Sequence, residues 1–346
     1  MSNPLERFDP NSVGLQSNNI FGLPFEEENA QVVLLPVPWE VTVSYRPGTA
    51  RAPEHIYDSS LQVDLYDSDV IDGWKQGFYM FPVDRNIRKK SDYLRQCAEL
   101  IISYLIEGGH MEENGQLCGK LAEVNNGGKM LFDWVKEMTG RMLKDGKKVG
   151  LIGGDHSTPL GFIAALGEIH SDFGVLQIDA HADMRKAYEG FVYSHASIMY
   201  NVLQMIPQVS KLVQVGIRDY CDEEVALIQN SGERVKTFFD KDIKEGQFEG
   251  KSWQQQCQEI IAELPQKVYI SFDIDGLDPK LCPNTGTPVP GGFEMEQVFY
   301  LFKQLKKSGR EIIGFDVNEV SNGSHSNSID AIVGARVLYK LCNFLL

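Results

Sequence analysis

The sequence predicts a single α/β domain of three layers, in which a mostly parallel, doubly wound sheet lies between two layers of helices. Two observations predict this class. Short apolar runs typical of buried parallel strands alternate along the chain with segments of helical periodicity. No linker-like segment divides the 346 residues. We therefore expect one domain, residues 31–346, preceded by an N-terminal extension, residues 1–30.

Seven runs are predicted as strands because each is short, apolar and bounded by polar or turn-forming residues. They are 32–36, 149–152, 174–178, 211–216, 235–239, 268–272 and 312–315. Helical patterns between them include 160–170, 197–204, 252–264 and 294–307, and the apolar segment 329–346 predicts a buried closing helix. The segment 107–129 contains EGGH, NGQ and NNGGK, which predicts a surface loop between two helices.

Three potential metal ligands follow one of these strands. The sequence DAHAD at 179–183 comes directly after the apolar run FGVLQI. Side chains two positions apart share one face of a strand, so Asp179, His181 and Asp183 can converge as the strand opens into its loop. Each residue alone is more often a turn former, a helix cap or a core residue.

Two further strands end in similar groups. GGDHS at 153–157 contributes His156, and SFDIDGLDP at 271–279 contributes Asp273 and Asp275. The ends of parallel strands meet along one edge of a sheet, so we expect the three segments to meet. Four carboxylates in one place repel one another unless a strong positive charge compensates them. The pattern therefore predicts a site for two divalent cations.

With these three motifs the chain resembles the ureohydrolases, a family that includes arginase, agmatinase and formimidoylglutamase. The resemblance implies an arginase-like fold from about residue 32 onwards and two Mn²⁺ ions, although Ni²⁺, Co²⁺ or Zn²⁺ also suit such ligands. Carried over by motif, one ion is bound by His156, Asp179, Asp183 and Asp273. The other is bound by His181, Asp179, Asp273 and Asp275, so that Asp179 and Asp273 bridge.

The same resemblance implies hydrolysis of a carbon–nitrogen bond, other than a peptide bond, in a linear amidine. A hydroxide bridging the metals attacks the guanidino or amidino carbon, and Asp183 passes a proton to the leaving nitrogen. Glu319 in GFDVNEV matches the glutamate that binds the guanidinium, and His195 in YSHASIMY matches a proton-shuttling, substrate-facing histidine. Alternatively, Glu319 is an ordinary strand-end carboxylate with Asp316 as a competitor, and His195 caps or packs a helix.

Substrate choice stays open between agmatine and several rivals. Arg185 resembles an arginine of formimidoylglutamases, where a guanidinium fork suits a dicarboxylate substrate; alternatively, Arg185 and Lys186 neutralise acids near the site such as Asp155 or Asp278. The segment PWEVTVSYRPGTARAP resembles an agmatinase loop, with Trp39 and Tyr45 as expected cavity walls. Agmatine, giving putrescine and urea, is the first expectation, followed by formimidoylglutamate, arginine and small guanidines. Two departures from the family pattern affect this pocket. Ala196 follows His195 where agmatinases usually have glycine, and residues 319–322 read EVSN where the family usually has EVxP.

Composition indicates a cytoplasmic enzyme acting on a small molecule. Forty-eight acidic residues against 33 basic ones give a net charge of −15, which argues against nucleic acid as a partner. No apolar run reaches the length of a membrane span, and no secretory signal is recognisable. Family members are usually trimers or hexamers, so we expect a homo-oligomer. A non-catalytic relative and a dinuclear phosphoesterase or deacetylase-type hydrolase remain as alternatives.

Overall fold

One sheet of eight strands forms the centre of the computed structural model, which describes residues 5–6, 8–324 and 328–346. The strands are β1 (Val32–Pro36), β2 (Phe78–Met80), β3 (Lys148–Ile152), β4 (Phe173–Ile178), β5 (Val209–Ile217), β6 (Val235–Phe239), β7 (Lys267–Asp273) and β8 (Glu311–Asn318). Their order is β2-β1-β3-β8-β7-β4-β5-β6, and every neighbouring pair is parallel. The predicted parallel sheet is confirmed.

Ten α-helices of the described residues connect and cover these strands. They are α1 (Ala52–Ser60), α2 (Arg85–Ile106), α3 (Gly115–Lys144), α4 (Leu160–Ile169), α5 (Ile198–Met205), α6 (Asp222–Asn230), α7 (Asp240–Phe248), α8 (Trp253–Ala262), α9 (Met295–Lys307) and α10 (Ile329–Leu345). α2, α3, α4 and α5 pack together on one face of the sheet, whereas α1, α8, α9 and α10 lie on the other. None of the helices in these described ranges is long and apolar enough to cross a membrane.

Alternation along β1 shows how the strands contribute to both layers. Val33 and Leu35 belong to the apolar cluster under α2–α5, whereas Val32 and Leu34 belong to the cluster under α1 and α8–α10. Successive side chains of a strand point to opposite faces, and in a sheet covered on both sides both sets are apolar. This is why the predicted strands read as continuous apolar runs, and it confirms the three-layer architecture.

The predicted surface loop 107–129 is confirmed for residues 107–114, which connect α2 to α3, and is wrong for the rest, because α3 begins at Gly115 and continues through it. Asn114 caps the helix by accepting a hydrogen bond from the amide of Leu117 at 3.1 Å. The glycines of NNGGK allow close packing: a Cβ on Gly128 would lie 2.6 Å from Cβ of Tyr193. These glycines therefore mark a crowded helix contact, whereas their sequence suggested a turn.

The strand that sequence analysis missed is β2, at one edge of the sheet. It has three residues, too few for a recognisable pattern, and Asn19 covers its outer side by hydrogen bonds to the amide and carbonyl of Met80 at 2.8 and 3.3 Å. Covering an edge in this way limits pairing with other chains. The division at residue 30 stays a prediction; within the described part of that segment, Ile20, Leu23 and Phe25 are buried in the core.

Candidate functional site

The expected ligand segments lie at the carboxyl ends of four adjacent strands. β3, β8, β7 and β4 are consecutive in the sheet. Asp273 is the last residue of β7, and the segments that follow the four strands contain His156, Glu319, Asp275 and Asp179. The register pairs Ile152 with Val317 and Ile178 with Phe272, so these strands end at nearly the same level. Parallel topology therefore brings segments more than 100 residues apart to one place.

His156 is the centre of one group of polar side chains. Its Nδ1 lies 3.0 Å from Oδ2 of Asp179, 3.0 Å from Oδ2 of Asp183 and 3.3 Å from Oδ2 of Asp273. All four side chains are buried. Nε2 of His156 is 2.9 Å from Oγ of Ser271, which leaves Nδ1 to face the three carboxylates.

His181 is the centre of a second group that shares Asp179. Its Nδ1 lies 3.0 Å from Oδ2 of Asp275 and 3.6 Å from Oδ1 of Asp179. Asp179 therefore contacts both imidazoles, one through each carboxylate oxygen. Asp273 lies beside this group, because its Oδ1 accepts a hydrogen bond from the amide of Asp275 at 2.8 Å. The structure brings all six residues together, and their role as metal ligands stays a prediction.

Asp183 is held in an unusual backbone conformation. Its φ of 54° lies in the left-handed region, which is uncommon for residues other than glycine. The carbonyl of Asp183 accepts hydrogen bonds from the amides of Met199 and Tyr200, at 3.0 and 3.3 Å, in the first turn of α5. Such strain persists only where surrounding contacts maintain it, and it is common at functional sites.

The charges of this cluster are unbalanced without cations. Burial and the negative charge of Asp179 raise the pKa of Asp183 to about 7, and burial with the charges of Asp275 and Asp179 raises the pKa of Asp273 well above its usual value. Burial would lower the pKa of His156, but the surrounding carboxylates raise it well above normal. In the described part of the chain, no Lys or Arg forms an ion pair with these carboxylates.

The donor set fits divalent cations. His156, Asp179 and Asp183 form one group whose ligand atoms lie within 4.8 Å of one another, and Asp179, His181 and Asp275 form another. Nδ1 of His156 is buried and makes no directed hydrogen bond, although three carboxylate oxygens surround it. This nitrogen could bind a metal ion together with the surrounding carboxylate oxygens. Sites rich in oxygen ligands with some imidazole suit manganese and related metals.

Glu319 follows β8 and is fixed at both its backbone and its side chain. It also has a left-handed backbone (φ 61°), and its amide donates to the carbonyl of Gly154 at 2.9 Å. Its Oε1 accepts from the amide of His156 at 2.9 Å. Burial, followed by the charge of Asp155, raises the pKa of Glu319 well above its usual value. A cationic group beside this carboxyl would relieve that penalty.

His195 lines the same cavity. Its Nδ1 lies 3.2 Å from Oγ1 of Thr42. The expectation that His195 itself caps a helix is wrong, because the cap is Ser194, whose hydroxyl accepts from the amide of Ala196 at 3.3 Å. Burial, followed by the positive charges of His181 and His156, lowers the pKa of His195 to about 3.

The cavity enclosed by these residues has a volume of about 160 Å³, and Arg185 lies at its rim. Nε of Arg185 is 3.9 Å from Oε2 of Glu224, and its guanidinium lies 4.8 Å from the ring centre of Tyr188. The alternative that Arg185 neutralises an acid near the site therefore holds for Glu224, and among the described residues no ion pair joins Arg185 to Asp155 or Asp278. Its positive charge is already compensated by a carboxylate and an aromatic face.

Three other expectations about the cavity need correction. Trp39 is 1 % exposed and packs in the apolar cluster under α2–α5, and Tyr45 is 65 % exposed to solvent, so neither is a cavity wall. From their loop it is Ser44 that lines the cavity. Asp316 is fully buried and accepts from Oγ of Ser271 at 3.1 Å, so it does not compete with Glu319.

Sequence analysis missed Thr42, Tyr188 and Glu224. Glu224 had no sequence signal, because its capping box has Cys221 where Ser or Thr is typical, and this box is evident only in the structure. Glu224 accepts from the amide of Cys221 at 3.0 Å, and it also accepts from the amide of Met184 at 3.0 Å. Thr42 and Tyr188 had no signal, since only the fold brings their loops to the site.

Comparison with known proteins agrees with this geometry. The model of the arginase family matches residues 30–343. The chain is 33 % identical over 298 residues to an N(1)-aminopropylagmatine ureohydrolase of Thermus thermophilus, covering 86 % of this chain and 84 % of the relative. It is 26 % identical to an agmatinase of Neisseria meningitidis, covering 92 % and 88 %.

The chain belongs to the arginase family. Family members hydrolyse carbon–nitrogen bonds of amidines and guanidines, so this chain is a hydrolase of that class, and the phosphoesterase alternative is wrong. The fold agrees with the crystal structure titled proclavaminate amidino hydrolase from Streptomyces clavuligerus, with a TM-score of 0.70, 23 % identity and coverage of 96 % of this chain and 98 % of that one. The family resemblance predicted from three motifs is confirmed.

Proposed function

We propose that this arginase-family chain hydrolyses the guanidino carbon–nitrogen bond of a small amine, with agmatine as the first candidate, giving putrescine and urea. The observation that carries the proposal is Glu319. Its buried carboxyl group has no Lys or Arg partner within the described residues and lines the same cavity as the six expected ligands. A guanidinium cation would supply the missing positive charge in a buried site.

We further propose that the cluster holds two divalent cations, with Mn²⁺ as the first choice and Ni²⁺, Co²⁺ or Zn²⁺ as alternatives. The residues that would hold them are His156, Asp179, His181, Asp183, Asp273 and Asp275. When bound, such a pair lowers the pKa of water, so that a nucleophile is available near neutral pH. Asp179 contacts both imidazoles, at 3.0 Å from His156 and 3.6 Å from His181, and would help to hold the cations.

The residues of the chain would perform three tasks around this centre. Glu319 would orient the guanidinium so that its carbon faces the cations, which removes the entropic cost of a random encounter. Asp183 would accept a proton from the attacking water on its carboxylate and give it to the departing amine. His195, which also lines the cavity, would form a hydrogen bond within it.

The rim of the cavity favours an amine tail over a carboxylate tail. Arg185 lies beside the carboxylate of Glu224 and the ring of Tyr188, and both would compete with a substrate carboxylate for its guanidinium. Asp219 also lines the cavity and its side chain is 68 % exposed, which suits an ammonium group. N(1)-aminopropylagmatine, which extends agmatine by an aminopropyl group, is therefore the second candidate, and formimidoylglutamate is the rival from the carboxylate class.

Urea release from agmatine, N(1)-aminopropylagmatine, arginine and guanidine tests this proposal, with ammonia or formamide release from formimidoylglutamate measured alongside. The expected result is turnover of an amine-tailed guanidine by the metal-loaded chain. Arg185→Ala is the discriminating variant. It should change KM for an amine substrate little, whereas a steep rise in KM for formimidoylglutamate would favour that rival.

Assembly and location belong to the same proposal. We propose a cytoplasmic homo-oligomer, a trimer or a hexamer. Light scattering over a wide concentration range tests the assembly, and a persistent monomer would contradict it.

A further inference from the structure

The hydroxyl group of Thr42 contacts His195 twice. Its Oγ1 lies 3.2 Å from the backbone nitrogen of His195 and 3.2 Å from Nδ1 of its ring. A backbone N–H only donates, so the threonine oxygen is the acceptor in the first contact. Thr42 is 3 % exposed, and its hydroxyl has no other hydrogen-bond acceptor among the residues that the structure describes.

These two contacts decide which ring nitrogen of the neutral histidine carries the proton. A buried hydroxyl proton without an acceptor is costly, and Nδ1 of His195 is the acceptor within reach of the Thr42 hydroxyl among the described residues. Nδ1 must then present a lone pair, and the single proton of the neutral imidazole lies on Nε2. No hydrogen bond joins Nε2 to another described residue, while the side chain lines the cavity.

The loop that carries Thr42 is fixed to the rest of the fold on both sides of this residue. The amide of Glu40 donates to Oγ of Ser91 on α2 at 3.1 Å. Arg95, also on α2, donates to the carbonyl oxygens of Val41, at 3.4 Å, and of Val43. The hydroxyl is therefore held in place by helix α2, and side chains held this way can fix the geometry of a site.

We propose that Thr42 is a positioning residue that fixes neutral His195 as the Nε2–H tautomer, so that His195 presents a hydrogen-bond donor to the cavity. A proton from the cavity could bind only at Nδ1, which faces Thr42. His195 would then stabilise an oxygen or nitrogen acceptor of the substrate or water. The kinetic part of this inference rests on the proposed function, whereas the tautomer itself does not.

The tautomer can be measured directly. The full chain, labelled with ¹⁵N only at its seven histidines and loaded with diamagnetic Zn²⁺, gives separate solid-state NMR signals for protonated and bare ring nitrogens. His195→Gln identifies the signals of His195. In the natural chain we expect His195 to have an unprotonated Nδ1 and a protonated Nε2. A protonated Nδ1 there would overturn the proposal, whatever the substrate proves to be.

Variants of Thr42 separate positioning from packing. Thr42→Val removes the hydroxyl at nearly constant volume and should shift part of the His195 population to Nδ1–H, whereas Thr42→Ser should keep the natural spectrum. Thr139→Val is the matched control, because this buried threonine of α3 donates to the carbonyl of Val135 at 2.7 Å, and it should leave the His195 signals unchanged.

Kinetics provide the second readout. For the substrate found in the panel, Thr42→Val should lower kcat by about tenfold with KM changed less than about twofold, because the lost interaction orients a catalytic group. Thr42→Ser should restore kcat to within about twofold. An equal loss of kcat in Thr42→Val and Thr42→Ser would overturn the proposal. If Thr42→Val does not fold, the proposal is still tested by the NMR spectrum of the natural chain and by the spectrum and kcat of Thr42→Ser.

Discussion

Glu319→Gln is the sharpest test of the proposed substrate contact, because it should lower activity without lowering the stability of the metal-free protein. The substitution keeps the shape of the side chain and an oxygen that can accept from the amide of His156, but it removes the negative charge. Losing one partner of a desolvated charge pair costs about 2–5 kcal/mol, so kcat/KM should fall by about 30-fold or more.

The stability of the metal-free protein should respond differently. Glu319 is 6 % exposed and lies near the buried carboxyl group of Asp155, so its ionised form is unfavourable without a cationic ligand. Gln avoids this penalty, and the melting temperature should therefore stay the same or rise. Glu168→Gln is the control, because it removes an exposed ion pair with Lys136 far from the site. A kcat/KM within about threefold of the natural value would refute the reasoning.

Three further predictions concern metal, packing and pH. Mn²⁺ at 100 times its dissociation constant should stabilise the metal-free chain by about 2.7 kcal/mol per site, and calorimetry should find two ions per chain in the natural protein and fewer in Asp179→Ala. Gly128→Ala should cost about 1–3 kcal/mol in urea unfolding because its Cβ would meet Tyr193, whereas Gly119→Ala on the same helix, with open space around it, should be neutral or stabilising. Hydrogen bonds and charge from two lysines lower the pKa of Asp69, so its stabilising contribution exists above the unfolded pKa of about 3.9 and disappears as pH falls through the folded value. Asp69→Asn should therefore lower the melting temperature at neutral pH and have little effect near pH of about 2.

Much of the fold could be predicted because the strands are short apolar runs buried on both faces. Seven strands lay close to their predicted positions, since periodicity and burial are local properties of the sequence. Two local signals failed for tertiary reasons. The glycines of NNGGK suggested a loop, but they permit α3 to pack tightly on its neighbours, and β2 was too short to show any period. Packing of this kind depends on partners elsewhere in the chain.

The sequence by itself determined the family and the six residues expected to bind metal, because each motif lies at the end of a strand and its spacing is local. The tertiary structure decided what surrounds them. It paired Arg185 with Glu224, placed Trp39 in the core and brought Thr42 to His195 across 153 positions of sequence. Those contacts join loops whose positions follow from the strand order β3-β8-β7-β4, and no local pattern records which loops will be neighbours.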